Sequence, residues 1–511
     1  MELTRQLRAI SAGVAAAVAG FTVAYAFNIT AGGIFLPELS TQVAIEISPG
    51  SFSSYVIEHL GKAGKIGATV FAFVVYFIAA ALLGLLFDFV RARLPGRNAL
   101  QRGLVFSAFP LGATALFVGL VSWLLPATVA KYSFDASVLS LILLNVTFGV
   151  VLALLADAAP VENGGSGAAR ALQRRPFLFA ASVAAGTTAF TFLVNRTLFQ
   201  RLLRAVGAPG GRLPSFVTPN VAFYQVSMDV TSPLIALSRW RLSVGGEVDR
   251  PYQLGYAELL KLLLVEKTIT LECVSNEVGG PLISNARWRG VPLSVLLNRA
   301  GLRTDAREIV LQAADAYSDS IPLELALSAD TMLALYMNDE DLPRDHGFPA
   351  RLLVPGLFGM ENVKWLTGIQ AISGSYRGGY WQTRGWVKFA VVKTMSKISV
   401  PVADAEVSLK GPIMIGGVAF AGNRGIQRVE IGVSLADDAG AANWAPADLL
   451  QEGSMITWRL WQYNWRPEKT GTYVLVVRAA DGAGMTQIAE NAPIFPSGST
   501  GYHSVRLRVV E

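Results

Sequence analysis

Cysteine occurs once in this chain of 511 residues, at position 273, and histidine three times. One thiol excludes an internal disulfide framework, an all-cysteine zinc site, an iron–sulfur cluster and a C-x-x-C-H haem attachment site. Charge is also sparse: 16% of residues are charged against 52% hydrophobic, with a mean hydropathy of +0.43. So apolar a composition excludes a wholly soluble chain. The apolar excess sits in the first 200 residues and contains no histidine within its long apolar runs, which excludes a b-type cytochrome carried on axial histidines. His59 lies in a connection between runs.

Five of those runs are long enough to cross a bilayer: 10–29, 66–90, 103–125, 138–156 and 177–199. One set of connections carries Arg5, Arg8, Arg91, Arg93, Arg97, Arg102, Arg170, Arg174 and Arg175, the other Lys62, Lys65 and Lys131. The positive-inside rule then places the N-terminus in the cytoplasm, and everything after about residue 200 on the periplasmic or extracellular side of the plasma (inner) membrane. Asp88 and Asn145 fall in or near these runs; Asp88, beside Arg91, reads as interfacial. Before the fifth run, a Gly/Ser stretch ends in Arg174, Arg175, Pro176, Phe177 and Leu178. This resembles a twin-arginine export signal, which is the reading favoured here over a plain topology determinant.

Beyond a Gly/Pro-rich linker at 208–219, the stretch TLECVSNEVGGPLISNARWRGVPL holds Cys273. The β-branched, apolar residues Thr268 to Leu271 predict a buried strand, and Ser275 to Pro281 a loop, so the thiol stands at a strand-to-loop junction. By residue type alone it reads either as an inert small hydrophobe or as a single soft metal ligand whose coordination sphere a cofactor completes.

The run E-C-V-S-N, then G-G, L-I-S-N-A-R-W and G-V-P-L, resembles the molybdenum-cofactor segment of the sulfite oxidase family of molybdopterin oxidoreductases. A second stretch, MNDEDLPRDHGFPARLLVPGLFGMENVKWLTG at 337–368, matches the same family through H-G-F-P-x-R, P-G-x-x-G and V-K-W. The resemblance implies that Cys273 is the protein's sulfur ligand to molybdenum, and that His346, Arg351, Asn362, Val363 and Lys364 hold the pterin dithiolene with its terminal phosphate. An arginine fork, a lysine and backbone N–H groups suit that phosphate. It also implies a first cofactor loop at Thr218 to Tyr224, with Asn220, Phe223 and Tyr224 in contact, followed by a hairpin at Trp240 to Val248. Asp315 is placed near the pterin and Tyr317 in the substrate pocket as a catalytic residue. Trp381 and Arg384, in the strip 378–392, face either the active site or the core. Relatives that oxidise sulfite follow the cysteine with an arginine-containing run. Here Val274, Ser275, Asn276 and Glu277 stand there, which points away from sulfite.

From about Ser399 short alternating strands and glycine turns predict a β-sandwich of immunoglobulin-like kind. Gly416, Gly417, Gly422 and Gly425 lack the strand–glycine–helix context of a nucleotide loop and read as turns and bulges. Trp444, Trp458, Trp461 and Trp465 read as core and interface aromatics.

The expected fold class is therefore multi-domain: an all-α transmembrane bundle at 1–205, an α+β sulfite-oxidase-type molybdopterin domain at 206–397 and a C-terminal immunoglobulin-like β-sandwich of dimerisation type at 398–511. The function implied is oxygen-atom transfer to or from a small sulfur or nitrogen compound, with molybdenum-molybdopterin (Mo-MPT) as cofactor. Electrons pass to an external carrier such as a cytochrome or membrane haem protein, because the chain encodes no second redox centre. A homodimer is an expected assembly, and nucleic acid is not an expected partner. The rival is a metal-free, membrane-anchored binding or sensory protein that reuses the fold.

Overall fold

The computed structural model describes residues 2–48, 50–96, 98–130, 132–157, 212–228, 232–437, 443–450 and 453–511, with the backbone alone for 50–66. The expected fifth run at 177–199, the Arg174–Arg175 pair and the start of the linker at 208 lie outside these residues. The chain divides into two compact units, one of N-terminal helices and one built mainly from residue 235 onward.

The helices are α1 (Glu2–Ala31), α2 (Leu36–Ile47), α3 (Gly50–Val90), α4 (Ala99–Leu124) and α5 (Phe134–Asp157), and all belong to the helical unit except α3 before residue 62. Four stretches in it, Arg5–Asn28, Gly67–Val90, Ala99–Leu124 and Phe134–Asp157, are long and apolar enough to cross a membrane. They coincide with the first four runs read from the sequence. Glycine sets how closely they pack. A Cβ on Gly13 would lie 2.1 Å from the Ala80 carbonyl oxygen, and one on Gly84 2.2 Å from that of Ala9, so α1 and α3 touch backbone to backbone. Phe71, Leu82, Phe89, Leu116 and Trp123 are exposed, as lipid-facing side chains would be.

Charge collects at one end of this unit. Asp88 pairs with Arg5 at 2.7 Å and with Arg91 at 3.1 Å, and Asp157 pairs with Arg102 at 2.5 Å and with Arg91 at 3.8 Å. Asn145, buried in α5, donates from Nδ2 to the Thr114 hydroxyl at 3.0 Å and so ties α5 to α4.

The second unit is β-rich. Its strands are β1 (Leu242–Gly246), β2 (Tyr252–Leu254), β3 (Val265–Glu272), β4 (Ile283–Pro292), β5 (Glu308–Ala313), β6 (Ser318–Pro322), β7 (Met332–Met337), β8 (Glu340–Asp341), β9 (Arg351–Leu353) and β10 (Leu366–Ile372), followed by β11 (Met395–Val400), β12 (Ala405–Ser408), β13 (Ile413–Phe420), β14 (Ile426–Leu435), β15 (Asn443–Leu449), β16 (Arg459–Trp465), β17 (Gly471–Asp481) and β18 (His503–Val510). One sheet runs β2-β1-β10-β5-β6, and a second runs β3-β4-β7-β8 with β9 also on β7. Helix α6 (Leu293–Ala300) packs between them, burying Leu293, Leu296, Leu297 and Ala300.

The second sheet is buried on both faces. Along β7 the two-residue period sends Leu333 and Leu335 to the core shared with α6, and Met332 and Ala334 to a second core around Phe223, Trp288 and Ile456. The eight C-terminal strands form one path, β11-β13-β16-β15-β14-β17-β18-β12. One core joins Ile415 and Trp461 near one end to Leu475 and Leu507 near the other, so this sheet curls upon itself. β11 runs across the boundary expected at 398. β11 and β15 are strands that alternation alone did not reveal: β11 is half-buried on one face, and β15 has no fully buried residue. Trp461 is wholly buried, and Trp458 donates from Nε1 to the Phe216 carbonyl at 3.0 Å.

Candidate functional site

Strand β3 delivers the thiol. Ile269 and Leu271 point into the core beneath Trp288, which leaves Thr270 and Glu272 on the opposite face. Thr270 is fixed there by two bonds: its hydroxyl donates to Asn285 Oδ1 and accepts from the Trp458 N–H, each at 2.8 Å. Cys273 follows at 7% exposure. Its N–H donates to the Leu282 carbonyl and its carbonyl accepts from the Asn276 N–H, each at 2.9 Å. The Asn276 side chain closes the loop, accepting from the Leu282 N–H at 2.8 Å and donating to Glu272 Oε1 at 2.9 Å.

The loop 354–362 packs against this junction. The Gly359 N–H donates to the Glu272 carbonyl at 2.7 Å. A Cβ on Gly359 would lie 2.8 Å from the Tyr224 hydroxyl and 3.3 Å from that carbonyl oxygen, so this approach requires glycine. Asn362 braces the loop: it accepts from the Val354 N–H at 2.7 Å and donates to the Phe358 carbonyl at 2.8 Å. Its side chain is committed to the loop's own backbone. Val363 is buried in the core, with its carbonyl accepting from the Leu352 N–H at 2.8 Å.

The first loop and the H-G-F-P-x-R segment meet. His346 Nε2 lies 2.9 Å from the Asn220 carbonyl oxygen, and its ring packs edge-on to Phe223 at 5.4 Å between centroids. The Asn220 side chain donates to the Met337 carbonyl at 3.1 Å and to Glu340 Oε2 at 2.9 Å, and accepts from Asn338 Nδ2 at 2.8 Å. Lys364 donates to the Val226 carbonyl at 3.0 Å and to the Ser227 hydroxyl. Asn220, Phe223, Tyr224, His346, Arg351 and Lys364 therefore gather on the side of the fold that carries the cysteine.

Asp315 and Tyr317 share a turn ahead of β6. Asp315 Oδ1 accepts from the Tyr317 N–H at 3.1 Å, and the Tyr317 hydroxyl lies 2.9 Å from the Met360 carbonyl oxygen and 3.1 Å from Asp319 Oδ2. Met360 neighbours Gly359, so one loop touches both the cysteine strand and the tyrosine. Arg384 lies over the Tyr380 ring, 3.7 Å from its centroid, and donates to the Tyr380 carbonyl at 2.9 Å. Trp381 is half-buried and edge-on to Tyr380.

Burial dominates the electrostatics. Arg351 is 6% exposed, its Nε has no hydrogen-bond partner and no carboxylate lies within ion-pair distance of it among the described residues. Its Nη1 donates to the His346 carbonyl at 3.3 Å. Desolvation lowers its pKa to about 10. Desolvation raises Glu272 to about 8, against the pull of its bond from Asn276, and lowers His346 to about 4. Burial also pushes the Tyr224 hydroxyl up; Cys273, Arg351 and Glu272 all act on it electrostatically, which places thiol and guanidinium around one phenol.

A buried guanidinium without a counter-ion is costly unless an anion completes it. Arg351, with Lys364 nearby, fits the terminal phosphate of a pterin dithiolene, and the Cys273 thiol offers a single soft ligand. Among the described residues no three His, Cys, Asp or Glu cluster as a metal site, so a metal here would take most of its ligands from the cofactor. The residues fit the group.

Three buried acids of this region were not singled out by the motifs: Glu272, Asp319 and Glu361. Strand parity was the available signal for the first two, since Glu272 shares the face of Thr270 and Asp319 lies two residues from Tyr317. For Glu361 no such signal exists.

Comparison with known proteins agrees with this geometry. The oxidoreductase molybdopterin binding domain family matches residues 229–381. Mitochondrial sulfite oxidase of Rattus norvegicus is 29% identical over 361 residues, covering 61% of this chain and 65% of the relative. The chain thus spans just under two thirds of that relative's length. Sulfite oxidase of Gallus gallus is 30% identical over 329 residues, covering 55% of this chain and 70% of the relative. The crystal structure of the sulfane dehydrogenase SoxCD from Paracoccus pantotrophus superposes with a TM-score of 0.50 at 22% identity, over 59% of this chain and 85% of that one. That likeness is one of fold.

Proposed function

Because the chain belongs to the sulfite oxidase family of molybdopterin oxidoreductases, we propose that it is a membrane-anchored enzyme that binds Mo-MPT and transfers an oxygen atom to or from a small sulfur or nitrogen compound. The observation that carries this reading is Arg351, a buried guanidinium lacking a counter-charge and set around the same phenol as Cys273. When bound, the cofactor supplies a metal that accepts or releases an electron pair as the oxygen moves.

In this reading Cys273 provides the protein's bond to the metal, held by the Asn276 turn. Arg351 and Lys364 neutralise the phosphate. His346 fixes the Asn220 loop, while Phe223 and Tyr224 wall the site. Asp315 holds the turn that carries Tyr317 into the substrate pocket. Asn362 and Val363 act through the loop they brace rather than through a side chain extended to the cofactor. The run Val274, Ser275, Asn276, Glu277 lacks an arginine to receive a dianion, so a substrate of lower charge than sulfite suits the pocket. Electrons leave or arrive through a separate carrier, a cytochrome or membrane haem protein.

The architecture proposed with it comprises a multi-pass anchor at 1–205 in the plasma (inner) membrane, a cofactor domain at 206–397 on the outer side, and an immunoglobulin-like sandwich at 398–511 suited to homodimer formation. Metal analysis and fluorescence of the oxidised pterin test the cofactor, and dye-linked turnover of sulfite against S-oxides and N-oxides tests the reaction. One molybdenum per chain, lost in Cys273→Ser, is expected. A purified wild-type chain with no molybdenum and no pterin would refute the proposal and favour a metal-free binding protein.

A further inference from the structure

The Tyr317 hydroxyl has one proton and two close oxygens. The Met360 carbonyl at 2.9 Å can only accept, so both contacts are full two-centre hydrogen bonds at once only if the phenol donates to Met360 and accepts from a protonated Asp319 Oδ2 at 3.1 Å. Asp319 is 4% exposed, and its Oδ1 already accepts from the Ser320 N–H at 2.8 Å. Glu361, the residue after Met360, is wholly buried. Its Oε1 accepts from the Ala390 N–H at 2.6 Å and its Oε2 has no hydrogen-bond partner among the described residues.

The charges facing this group do little to hold both carboxyls ionised. Lys388 is the nearby cation and is already paired with Glu308 at 2.8 Å. Asp315 faces Tyr317 from the same turn, while on the 378–392 strip Tyr380 approaches the Tyr317 ring at 5.8 Å and Arg384 lies over Tyr380. Burial raises both Asp319 and Glu361 above the usual carboxylate range; Asp319 further disfavours ionisation of Glu361, and Glu308 acts in the same sense on Asp319.

We propose that Asp319, paired with Glu361, is a positioning residue that stores a proton behind Tyr317. When the phenol O–H turns from the Met360 carbonyl to an oxygen in the pocket and gives up its proton, the Tyr317 O–H bond breaks and a new O–H bond forms there, while the Asp319 proton passes to the phenol oxygen and leaves a carboxylate. Run backwards, the same step removes a proton from the site. Protons alone move, so no electron is gained or lost. The storage follows from the geometry at Tyr317; its use in turnover rests on the placement of Tyr317 in the substrate pocket.

Infrared titration of the full chain in detergent tests the storage without any turnover. In a Glu272→Gln background that removes the contribution of Glu272, the otherwise wild-type chain is expected to show the carbonyl stretch of a protonated carboxylic acid persisting to about pH 6, above the ordinary carboxylate range. The band should diminish in Asp319→Asn and in Glu361→Gln, and shift in Tyr317→Phe, where the hydrogen bond to the phenol is gone. No such band in the wild type, or a band unchanged in Asp319→Asn, would overturn the proposal. In the loaded enzyme, Asp319→Asn should abolish an ionisation in the pH profile of kcat with KM held, and Asp319→Glu should restore it. A pH profile unaltered by Asp319→Asn would overturn the relay. If instead Cys273→Ser kept full activity, the parent reading of the site would be the part that fails.

Discussion

His346 links the buried cluster to acid sensitivity. Its ring is 2% exposed, and burial lowers its pKa to about 4, opposed by the hydrogen bond to Asn220 and reinforced by Arg351 and Lys364. In the unfolded chain the ring titrates near its ordinary value of about 6.5. The folded value lies below the unfolded one, so the stability this neutral ring allows is fully present above about pH 6.5 and is lost as pH falls toward about 4. The whole gap corresponds to about 3 kcal/mol, and the loss between about pH 7.5 and about pH 5 to about 2 kcal/mol.

His346→Gln removes the titration and keeps an amide N–H able to donate to the Asn220 carbonyl. Urea unfolding of the cofactor-free full chain in detergent, followed by tryptophan fluorescence at the two pH values, reads the difference between variant and wild type. Glu272, raised to about 8, works in the opposite direction: its contribution grows as pH falls from about 8 to below the ordinary carboxylate range. His503 is lowered to about 4 and titrates with His346. Both are present in wild type and variant, so they cancel in the difference. Relative to wild type, the variant should gain about 2 kcal/mol on going from about pH 7.5 to about pH 5. A gap that stays constant between the two would refute the idea that the buried ring resists protonation.

Gly359→Ala should strike the site from the loop side, because its Cβ would meet the Tyr224 hydroxyl at 2.8 Å and the Glu272 carbonyl oxygen at 3.3 Å. A destabilisation of about 1–3 kcal/mol is expected, with reduced molybdenum content, and unchanged unfolding midpoint and metal content would contradict the close approach. Replacing Arg174 and Arg175 by lysine should leave the C-terminal domain on the cytoplasmic side while the first four spans still insert. A reporter placed after Glu511 measures this, and its continued appearance on the outer side would dismiss the twin-arginine reading.

The sequence alone determined the features that depend on local pattern. Long apolar runs fixed four helices able to span a membrane, because bilayer thickness demands a length that little else explains. The β-branched run 268–271 determined that Cys273 ends a buried strand, and the motif residues from Asn220 to Lys364 identified the cluster that gathers on its side of the fold. Strand β11 alternates in burial, but its buried face begins with Ser396 and its other face with Met395, so hydrophobicity does not follow the alternation; β15 has no fully buried residue, and both are strands through pairing with β13, β14 and β16.

Only the tertiary structure decided what each polar side chain is used for. Asn362 looks like a ligand-binding residue in its motif, yet long-range folding of the 354–362 loop commits it to backbone bonds. Glu361 looks like a surface acid between Met360 and Asn362, and only packing against Ala390 buries it completely. Arg351 gains its meaning from burial without a counter-ion. Solvation and the direction of a hydrogen bond are set by residues more than a hundred positions apart, as at His346 and Asn220, and no local spacing encodes them.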